Sequence, residues 1–596
     1  MFQRKDKNFT WERFYKGIFI ITVIALGGVY GWFLTTMMNS KNEFDLFFND
    51  FDVESSLIDE EYIDISFLDS RAQNYEKLIG RYHIPYNMTG EGWDYYPPIS
   101  ITWDYSSVDP DAAFYNNSQL LDTFKPLNMS SPYNNKSLMT YTGDRAHTAL
   151  YEGVYCAGEA FRYAWAKRNG NEGNMTAAKD RIWKIVKAYD LLSNVSDTSA
   201  LVRYALPDTE KARAKFPGYW AHEDHYIEEY KGMNWSLSRH ISRDVSIGII
   251  YGLSMTYAFV DDAELRETAG RIIDKTVSYW YDCNWRIIDT DGMQHTSGDF
   301  LAGRPLEEGG TILTFLQAAK QVKPKKWSPI YKKYAYDRGM AFSIGRTMRM
   351  GVDLTPKIFD AYYGCNFLYN NAPTLILLEE DPVLKEIYIK QWLNVLHDFT
   401  KLHRNANFDV VYLLCQSDFN IDNQYAAPEQ ITLDDEDMKI WENANIKKPN
   451  DENYVKDFIV RDIKDCLIRY AKKRYPNRNY YFATAPNTFP NVHQQPINLS
   501  GYITPYPDYG YWEPTTDTDN LITSMLGMAG RNIEDDGILN ASLPVDMRDD
   551  EDIMWQRRSF TVRTTQGIES NPGTTQVPMG PEYLSVYWMA KYLEIL

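Results

Sequence analysis

Apolar and polar positions divide the chain into two recurring kinds of segment. Residues 245–260 contain no charged side chain, and apolar residues occupy every side of a helical projection, which is typical of a helix buried all round. Asp262 then provides a helix-start signal. In the next segment, apolar residues fall on one helical face opposite a charged face, at Leu265, Ala269, Ile272, Ile273, Val277 and Trp280. The pattern predicts a hairpin of one fully buried helix and one half-buried helix.

The same pair of segments recurs along the chain. In each further pair an uncharged or mostly apolar segment comes first and an amphipathic one follows. The pairs are 144–166 with 177–192, 309–322 with 331–347, 360–378 with 382–402, and 407–416 with 454–473. Pro373 predicts a kink or an interruption in one buried helix, and Asp381-Pro382 predicts the start of its partner. A sixth, less regular pair is 518–530 with 581–596. Short joints between consecutive segments favour an all-α fold for residues 141–596. The predicted fold is an (α/α) toroid of five to six helical hairpins with long irregular loops.

The N-terminal region predicts a membrane anchor. Residues 17–38 are uncharged and long enough to span a bilayer, and five basic residues precede them whereas an acidic segment follows. We therefore expect a cytoplasmic tail over 1–16, a single transmembrane signal anchor over 17–38, and the bulk of the chain outside the cell membrane. An acidic stalk with short amphipathic pieces would cover 39–80, and a Tyr-, Pro- and Asn-rich wrapping segment 81–140. A cleaved signal peptide is the alternative, although the apolar run is long for one.

Asn-x-Ser/Thr motifs agree with an extracellular glycoprotein. They occur at Asn87, Asn116, Asn128, Asn135, Asn174, Asn194, Asn234, Asn498 and Asn540. Both a eukaryotic lumenal protein and an archaeal cell-surface protein would carry such sites, and the sequence leaves that choice open.

Composition narrows the function classes. The net charge of −19 excludes a typical nucleic-acid-binding protein, which needs a basic surface. The aromatic share of 15%, with 45 Tyr and 16 Trp, fits either helix packing or stacking against sugar rings. Five widely spaced cysteines form no CxxC pair, so they predict buried thiols rather than a zinc site.

Several segments carry a family resemblance. DRAHTALYEGVYCAGEAFRYAWA, SRDVSIGIIYGLSMTYAFVDD, CNWRIIDTDG, NFDVVYLL, MWQRRSF and YLSVYWMAKYLEIL resemble uncharacterised secreted prokaryotic proteins of the six-hairpin (α/α)-toroid glycosidase-like superfamily. The resemblance covers roughly 140–596. Enzymes of that superfamily include glucoamylase-like hydrolases, unsaturated glucuronyl hydrolases, polysaccharide lyases and the catalytic part of glucuronyl C5-epimerase. The resemblance thus implies chemistry on glycans by analogy of fold.

Candidate catalytic residues follow from the predicted ring. Parallel inner helices would bring their N-termini to one mouth, where Asp244, Glu308 and Asp144 would supply the acid and base of glycoside hydrolysis. The competing interpretation is that an Asp before a helix only caps it. Asn407 and Asp409 are further polar residues at this end. Candidate substrate-binding residues are Arg145, His240, Arg243, Tyr362, Tyr363, His295 and Trp555. The arginines also allow an acidic sugar as ligand.

Metal motifs are incomplete. His222–His225 is one residue short of HExxH, and the loop that starts at Asp289 has Phe300 where a calcium loop needs Glu. We predict no metal and no cofactor, with calcium at Asp289–Gly292 as the alternative to a simple turn.

The sequence therefore predicts a membrane-anchored, extracytoplasmic, glycan-active protein, a hydrolase with paired carboxylates, and a lyase or epimerase in second place. Its partners would be a polysaccharide or glycan and the membrane, with no nucleic acid. The alternative is a noncatalytic cell-surface structural or adhesion protein that uses the toroid as a scaffold in a surface assembly. An enzyme predicts two carboxylates about 5–10 Å apart in a cleft, whereas a scaffold predicts a filled ring and a large outer apolar patch.

Overall fold

The part of the chain that can be described is mostly helical, as the predicted all-α class requires. The computed structural model describes residues 65–79, 101–104, 139–140, 148–196, 198–215, 225–239, 241–300, 305–344, 362–400, 405–416, 459–460, 463–464, 466–467, 481–482, 492–498, 510–514, 574–577 and 580–596. The predicted anchor at 17–38 lies outside these ranges, and no helix within them is long and apolar enough to cross a membrane.

The helices are, in chain order, α1 (Ile65–Leu78), α2 (Thr148–Arg168), α3 (Glu172–Asn194), α4 (Glu210–Lys215), α5 (Arg243–Phe259), α6 (Ala263–Asp282), α7 (Pro305–Val322), α8 (Pro324–Lys332), α9 (Tyr362–Leu377), α10 (Pro382–Ile387), α11 (Asn394–Thr400), α12 (Ala406–Gln416) and α13 (Pro581–Tyr592). A π-helical turn, Lys333–Asp337, extends α8, and another, Tyr388–Leu393, joins α10 to α11.

Two classes of helix are present, as the hydrophobic pattern predicts. The helices α2, α5, α7, α9, α12 and α13 are buried on nearly all sides and are termed the core helices. The flanking helices α3, α6, α8 and α10 bury one face against them. All six apolar positions predicted to face inward on α6 are buried, and the Asp262 side chain accepts a hydrogen bond from the Leu265 N–H at 3.0 Å. The predicted hairpin α5–α6 and its cap are therefore confirmed.

Joints from a core helix to its flanking partner are short, at 169–171, 260–262, 323 and 378–381. In the last of them, Asp381 caps α10 by accepting from Val383 N–H at 2.9 Å, and Pro382 occupies the first helical turn as predicted. The flanking helix α8 begins at Pro324, earlier than predicted. The core helix α9 continues through Pro373, so of the two predicted effects of this proline, a kink or an interruption, the interruption does not occur.

The core helices α2, α5 and α13 run parallel. Gly153 of α2 approaches Gly248 of α5, and further along both helices the Cys156 thiol lies 3.2 Å from the Thr256 hydroxyl. Between α2 and α13, Gly158 lies against Ser585, and later residues on both helices pair again through the rings of Trp165 and Trp588, 5.6 Å apart.

The core helices α7 and α9 are also parallel to each other. Asn371 donates to the Thr311 hydroxyl at 3.0 Å, and further along both helices Gln321 donates to the Leu378 carbonyl at 2.7 Å. The flanking helix α6 runs antiparallel to α5 and to α7, because Gly270 near its start contacts the last turns of both. Five core helices thus begin at the same end of the molecule, which we term the N-terminal end.

Short strands occur in the connections that lead into core helices. The strands are β1 (Ile101–Asp104), β2 (Met139–Thr140), β3 (Tyr204–Pro207), β4 (His225–Tyr230), β5 (Met233–Ser238), β6 (Arg286–Ile288), β7 (Gln294–Asp299), β8 (Tyr481–Phe482), β9 (Val492–Asn498), β10 (Gly510–Pro514) and β11 (Thr574–Val577). They form antiparallel sheets of order β11-β1-β2, β3-β5-β4, β10-β9-β8 and β6-β7. The prediction of irregular loops is wrong at these places, since β2, β5, β7 and β11 precede α2, α5, α7 and α13.

The hairpin β4–β5 had a local signal. Lys231 and Gly232 join the strands with φ values of 52° and 75°, a left-handed two-residue turn that matches the twist of a hairpin.

The segment predicted as an acidic stalk contributes an amphipathic helix to the core. Leu68, Ala72 and Tyr75 of α1 are buried, as is Ile79 just after it, and the Tyr75 ring lies 5.2 Å from that of Tyr583 on α13. Within the described residues α1 therefore flanks α13, whereas the predicted partner at 518–530 lies outside the described ranges. All five cysteines lie within these ranges, and those at 156, 365, 415 and 466 are buried as predicted.

Candidate functional site

Asp244, the first-choice catalytic residue, lies in the first turn of α5 and is 7% exposed. A carboxylate at this position is favoured by the partial positive charge of the helix N-terminus. Ser242 precedes the helix in an extended conformation, and its carbonyl accepts the Ser246 N–H at 3.1 Å. Arg243, a predicted ligand-binding residue, is the half-buried neighbour of Asp244.

A second carboxylate, Glu582, lies at the equivalent position of α13 and is 6% exposed. The Tyr251 hydroxyl of α5 meets the Met589 sulfur of α13 at 3.8 Å. Asp244 and Glu582 each lie seven residues, two turns, before these two contact residues, and a helix repeats its face at that spacing. Because α5 and α13 are parallel, this register places the two buried carboxylates at corresponding levels of the two helices, at the N-terminal end. Sequence analysis did not select Glu582.

The backbone of other predicted residues lies at this same end. Glu308 falls in the first turn of α7, Tyr362 and Tyr363 begin α9, and His295 lies in β7, the strand that precedes α7; their side chains lie outside the described part. Four further predicted residues lie wholly outside the described ranges: Asp144, Arg145, His240 and Trp555.

Polar residues at the start of α12 bind within the fold. The Asn405 side chain accepts the Asn407 N–H at 2.9 Å, which is a capping role. The buried Asp409 carboxylate lies 3.2 Å from Nε2 of His397, whose ring stacks on Tyr412 with centroids 3.7 Å apart. This pair joins α12 to α11, so Asp409 stabilises the packing of a flanking helix.

A second group of charged side chains lies between α1, α2 and α3, away from the N-terminal end. Arg162 of α2 forms ion pairs with Glu76 at 3.2 Å and Glu159 at 3.1 Å, and the Tyr155 hydroxyl donates to Glu76 at 2.7 Å. Burial, and next the nearby Glu76 carboxylate, raise the pKa of Glu159 well above its usual value. These groups hold α1 against the core, a structural role.

Glu152 is the least compensated acidic group among the described residues. It is fully buried on α2, neither carboxyl oxygen has a hydrogen-bond partner within the described part, and burial raises its pKa well above the usual value. Its neighbours include Cys156 and Tyr189 of α3, whose pKa values its negative charge helps to raise. This carboxyl therefore lies between the core and flanking layers.

We expect Glu152→Met to raise the free energy of unfolding at pH 7 by about 1–3 kcal/mol, because an apolar side chain of similar size removes a buried unpaired polar group. The folded pKa of Glu152 lies above the unfolded one, so wild-type stability is greatest below the usual Glu value and falls as pH rises above it. Chemical denaturation from pH 4 to 8 measures both effects. Glu152→Gln, the control, should remove the pH-dependent part alone, and a wild-type pH slope in that variant would contradict the assignment.

The candidate calcium loop is a turn between β6 and β7. The Asp289 carboxylate accepts the Thr290 N–H at 2.6 Å and Asp291 accepts the Met293 N–H at 2.8 Å, while Gly292 supplies a φ of 76°. These carboxylates stabilise the turn itself. Among the described residues, no group of three or more His, Cys, Asp or Glu side chains could hold a metal ion, and His222 lies outside them.

Three of the nine predicted glycosylation sites have described side chains. Asn234 is exposed on β5. The Asn174 side-chain oxygen accepts from Arg162 at 2.7 Å, and the Asn194 amide nitrogen donates to the Asp190 carbonyl at 2.7 Å. Among these three, Asn234 offers the most accessible amide.

Comparison with known proteins gives no match: no family model, no curated protein and no solved structure matches this chain.

Proposed function

We propose that the protein is a glycan-active (α/α)-toroid enzyme that hydrolyses glycosidic bonds at the N-terminal end of its core helices. The closed ring of helical hairpins is part of this proposal. It is supported by the order of contacts between core helices, which leads from α13 to α2, α5, α7, α9 and α12 and back to α13.

The observation that carries the proposal is the pair Asp244 and Glu582. Both carboxyl groups are largely buried, they begin two parallel helices, and the contact between Tyr251 and Met589 sets them in register. Glycoside hydrolysis needs one carboxylic acid to protonate the leaving oxygen and one carboxylate to activate water or attack the sugar. Placement on two rigid helices favours a fixed separation between those groups.

The long connections support the proposal that the active site lies at the N-terminal end. Described strands precede the N-termini of α2, α5, α7 and α13, whereas the described joints that leave the C-termini of α2, α5, α7 and α9 have one to four residues. Loops held on a rigid scaffold are where binding and catalytic residues concentrate.

The test is a hydrolysis screen of the full chain in detergent over neutral and acidic polysaccharides, beside Asp244→Asn and Glu582→Gln. We expect each substitution to lower kcat/KM by about 10²–10⁴-fold, because each removes an acid–base group. Asp262→Asn is the matched control, since Asp262 caps α6 at the opposite end of α5 and Asn also caps helices. Hydrolysis at wild-type rate in both site variants would disprove the assignment.

The second candidate, a noncatalytic surface scaffold, is favoured by the direct contact between Gly153 and Gly248 and by contact between α5 and α9, since both fill the interior. The large exposed apolar side chains of the described part lie on separate elements: Ile227, Met293, Phe342 and Val383. They do not support the outer patch that a scaffold needs. Folded protein with neither hydrolysis nor glycan binding across the screen would favour this candidate.

The proposed location is the outer side of a cell membrane, with the segment 17–38 as a single-pass anchor and the N-terminus in the cytoplasm. Its support is the charge asymmetry around that segment and the glycosylation motifs. A glycan partner, the absence of a nucleic-acid partner and the absence of a resident metal remain parts of the proposal.

A further inference from the structure

One face of α9 carries buried polar groups that nothing described in the fold satisfies. Asn366, Asn370 and Thr374, termed the polar stripe, are at most 2% exposed. Both polar atoms of the Asn366 amide, the Asn370 amide nitrogen and the Thr374 hydroxyl have no hydrogen-bond partner among the described residues.

The direction of the stripe follows from the contacts on either side of it. Asn371 bonds to α7, and the Tyr369 ring stacks on Phe408 of α12 with centroids 4.2 Å apart. At about 100° per residue, the stripe projects between these two directions, opposite the apolar face of Leu368 and Ala372.

The helix α5, which also contacts α9, carries a similar group. Ser254 is 2% exposed and its hydroxyl has no partner within the described part. Buried polar groups in folded proteins nearly always have a partner, supplied by protein, ordered water or ligand. Four such residues on two contacting helices therefore indicate that a polar molecule binds between the helices, rather than a dry apolar core.

The stripe begins close to the proposed catalytic end. Asn366 lies in the second turn of α9, and the next members follow one and two turns deeper. The unsatisfied amides and hydroxyl of α9 therefore extend inward from the end of the molecule at which Asp244 and Glu582 lie.

We propose that the polar stripe lines a subsite for an uncharged, polyhydroxylated ligand, namely a neutral sugar unit that enters from the N-terminal end. The inference rests on the proposed function and names its substrate class. An Asn amide offers a donor and an acceptor side by side, which matches adjacent sugar hydroxyls. The stripe carries no charge, so an acidic sugar would gain no ion pair from it.

Asn371 is a matched control on the same helix. Its side chain is equally buried and its amide nitrogen donates to the Thr311 hydroxyl, while its oxygen, like the Asn370 nitrogen, has no partner among the described residues. Replacing it removes a structural hydrogen bond without changing the stripe.

The test compares Asn366→Leu, Asn370→Leu and Asn371→Leu in the full chain, with maltose and cellobiose as neutral probes and glucuronic acid as the acidic one. Calorimetric titration should show binding of a neutral probe that weakens at least tenfold in Asn366→Leu and Asn370→Leu. Their melting temperatures should equal or exceed that of wild type. Asn371→Leu should melt earlier and keep wild-type affinity.

The inference would be overturned by no binding of either neutral probe by wild type, by unchanged affinity in the two stripe variants, or by tighter binding of glucuronic acid. A fall in melting temperature as large as that of Asn371→Leu would also overturn it, since it would show a structural role. Hydrolysis is measured separately. If the Asp244→Asn and Glu582→Gln variants still hydrolyse glycans, the proposed catalytic assignment fails. The binding measurement on the polar stripe would still stand, so the two failures can be told apart.

Discussion

Gly153→Ala should lower the free energy of unfolding by more than about 3 kcal/mol, the largest effect that we expect from so small a change. A methyl group at this position would overlap the backbone carbonyl of Gly248, and a carbonyl cannot rotate away as a side chain can. The helices α2 and α5 would have to separate, which would disturb the close contact between these two core helices. Urea unfolding followed by circular dichroism measures the loss.

The control is Gly173→Ala in the first turn of α3, where the nearest described atom to an added methyl is the Asn171 side-chain oxygen, 3.7 Å away. Alanine there should leave stability unchanged or raise it by up to about 1 kcal/mol, since glycine is the poorer helix former. Equal stability losses at the two positions would contradict the close approach of α2 and α5.

Arg162→Met should cost about 3–5 kcal/mol, because it leaves buried carboxyl groups without their cation. The substitution also removes two hydrogen bonds to Asn174, at 2.7 and 3.0 Å, and a cation–π contact with Trp588 at 4.8 Å. The pKa of Glu159 already lies above its usual value, and it should rise further without the nearby guanidinium. The deficit should therefore grow as pH rises above the usual value for Glu.

Equilibrium unfolding at pH 5 and pH 8 tests this result, with Arg271→Met as the matched control. Arg271 also pairs with a carboxylate, Asp190 at 2.8 Å, but its side chain is 51% exposed, so its removal should cost no more than about 1 kcal/mol. Adding Glu159→Gln to Arg162→Met should recover part of the loss. An Arg162 deficit no larger than that of Arg271, at both pH values, would show that the group between α1, α2 and α3 contributes little.

The helical hairpins were predictable because their signals are local. The uncharged run of α5, the apolar face of α6 and the caps at Asp262 and Asp381 depend on residues a few positions apart, and each is present in the structure. The sheets were not predictable in the same way. The strand β1 pairs with β11, with most of the chain between them, and no local pattern specifies such a partner.

The candidate site divides along the same line. Asp244 was identified from its position before a buried helix, a local feature. Glu582 becomes relevant only through the register of α5 and α13, whose contact residues Tyr251 and Met589 are 338 positions apart. Glu152 did have a local signal, since it and Glu159 are the two carboxylates within the mostly apolar α2, and sequence analysis did not select it.

The contact between α2 and α13 also limits how the protein is made. Arg168 at the end of α2 donates to the Tyr592 carbonyl, and 424 positions separate the two residues. At ribosomal rates of about 5–20 residues per second, roughly 20–80 s pass between the synthesis of these two partners. Until α13 is made, the face of α2 that packs against it presents uncovered apolar side chains, and we expect the nascent chain to be prone to aggregation at this face.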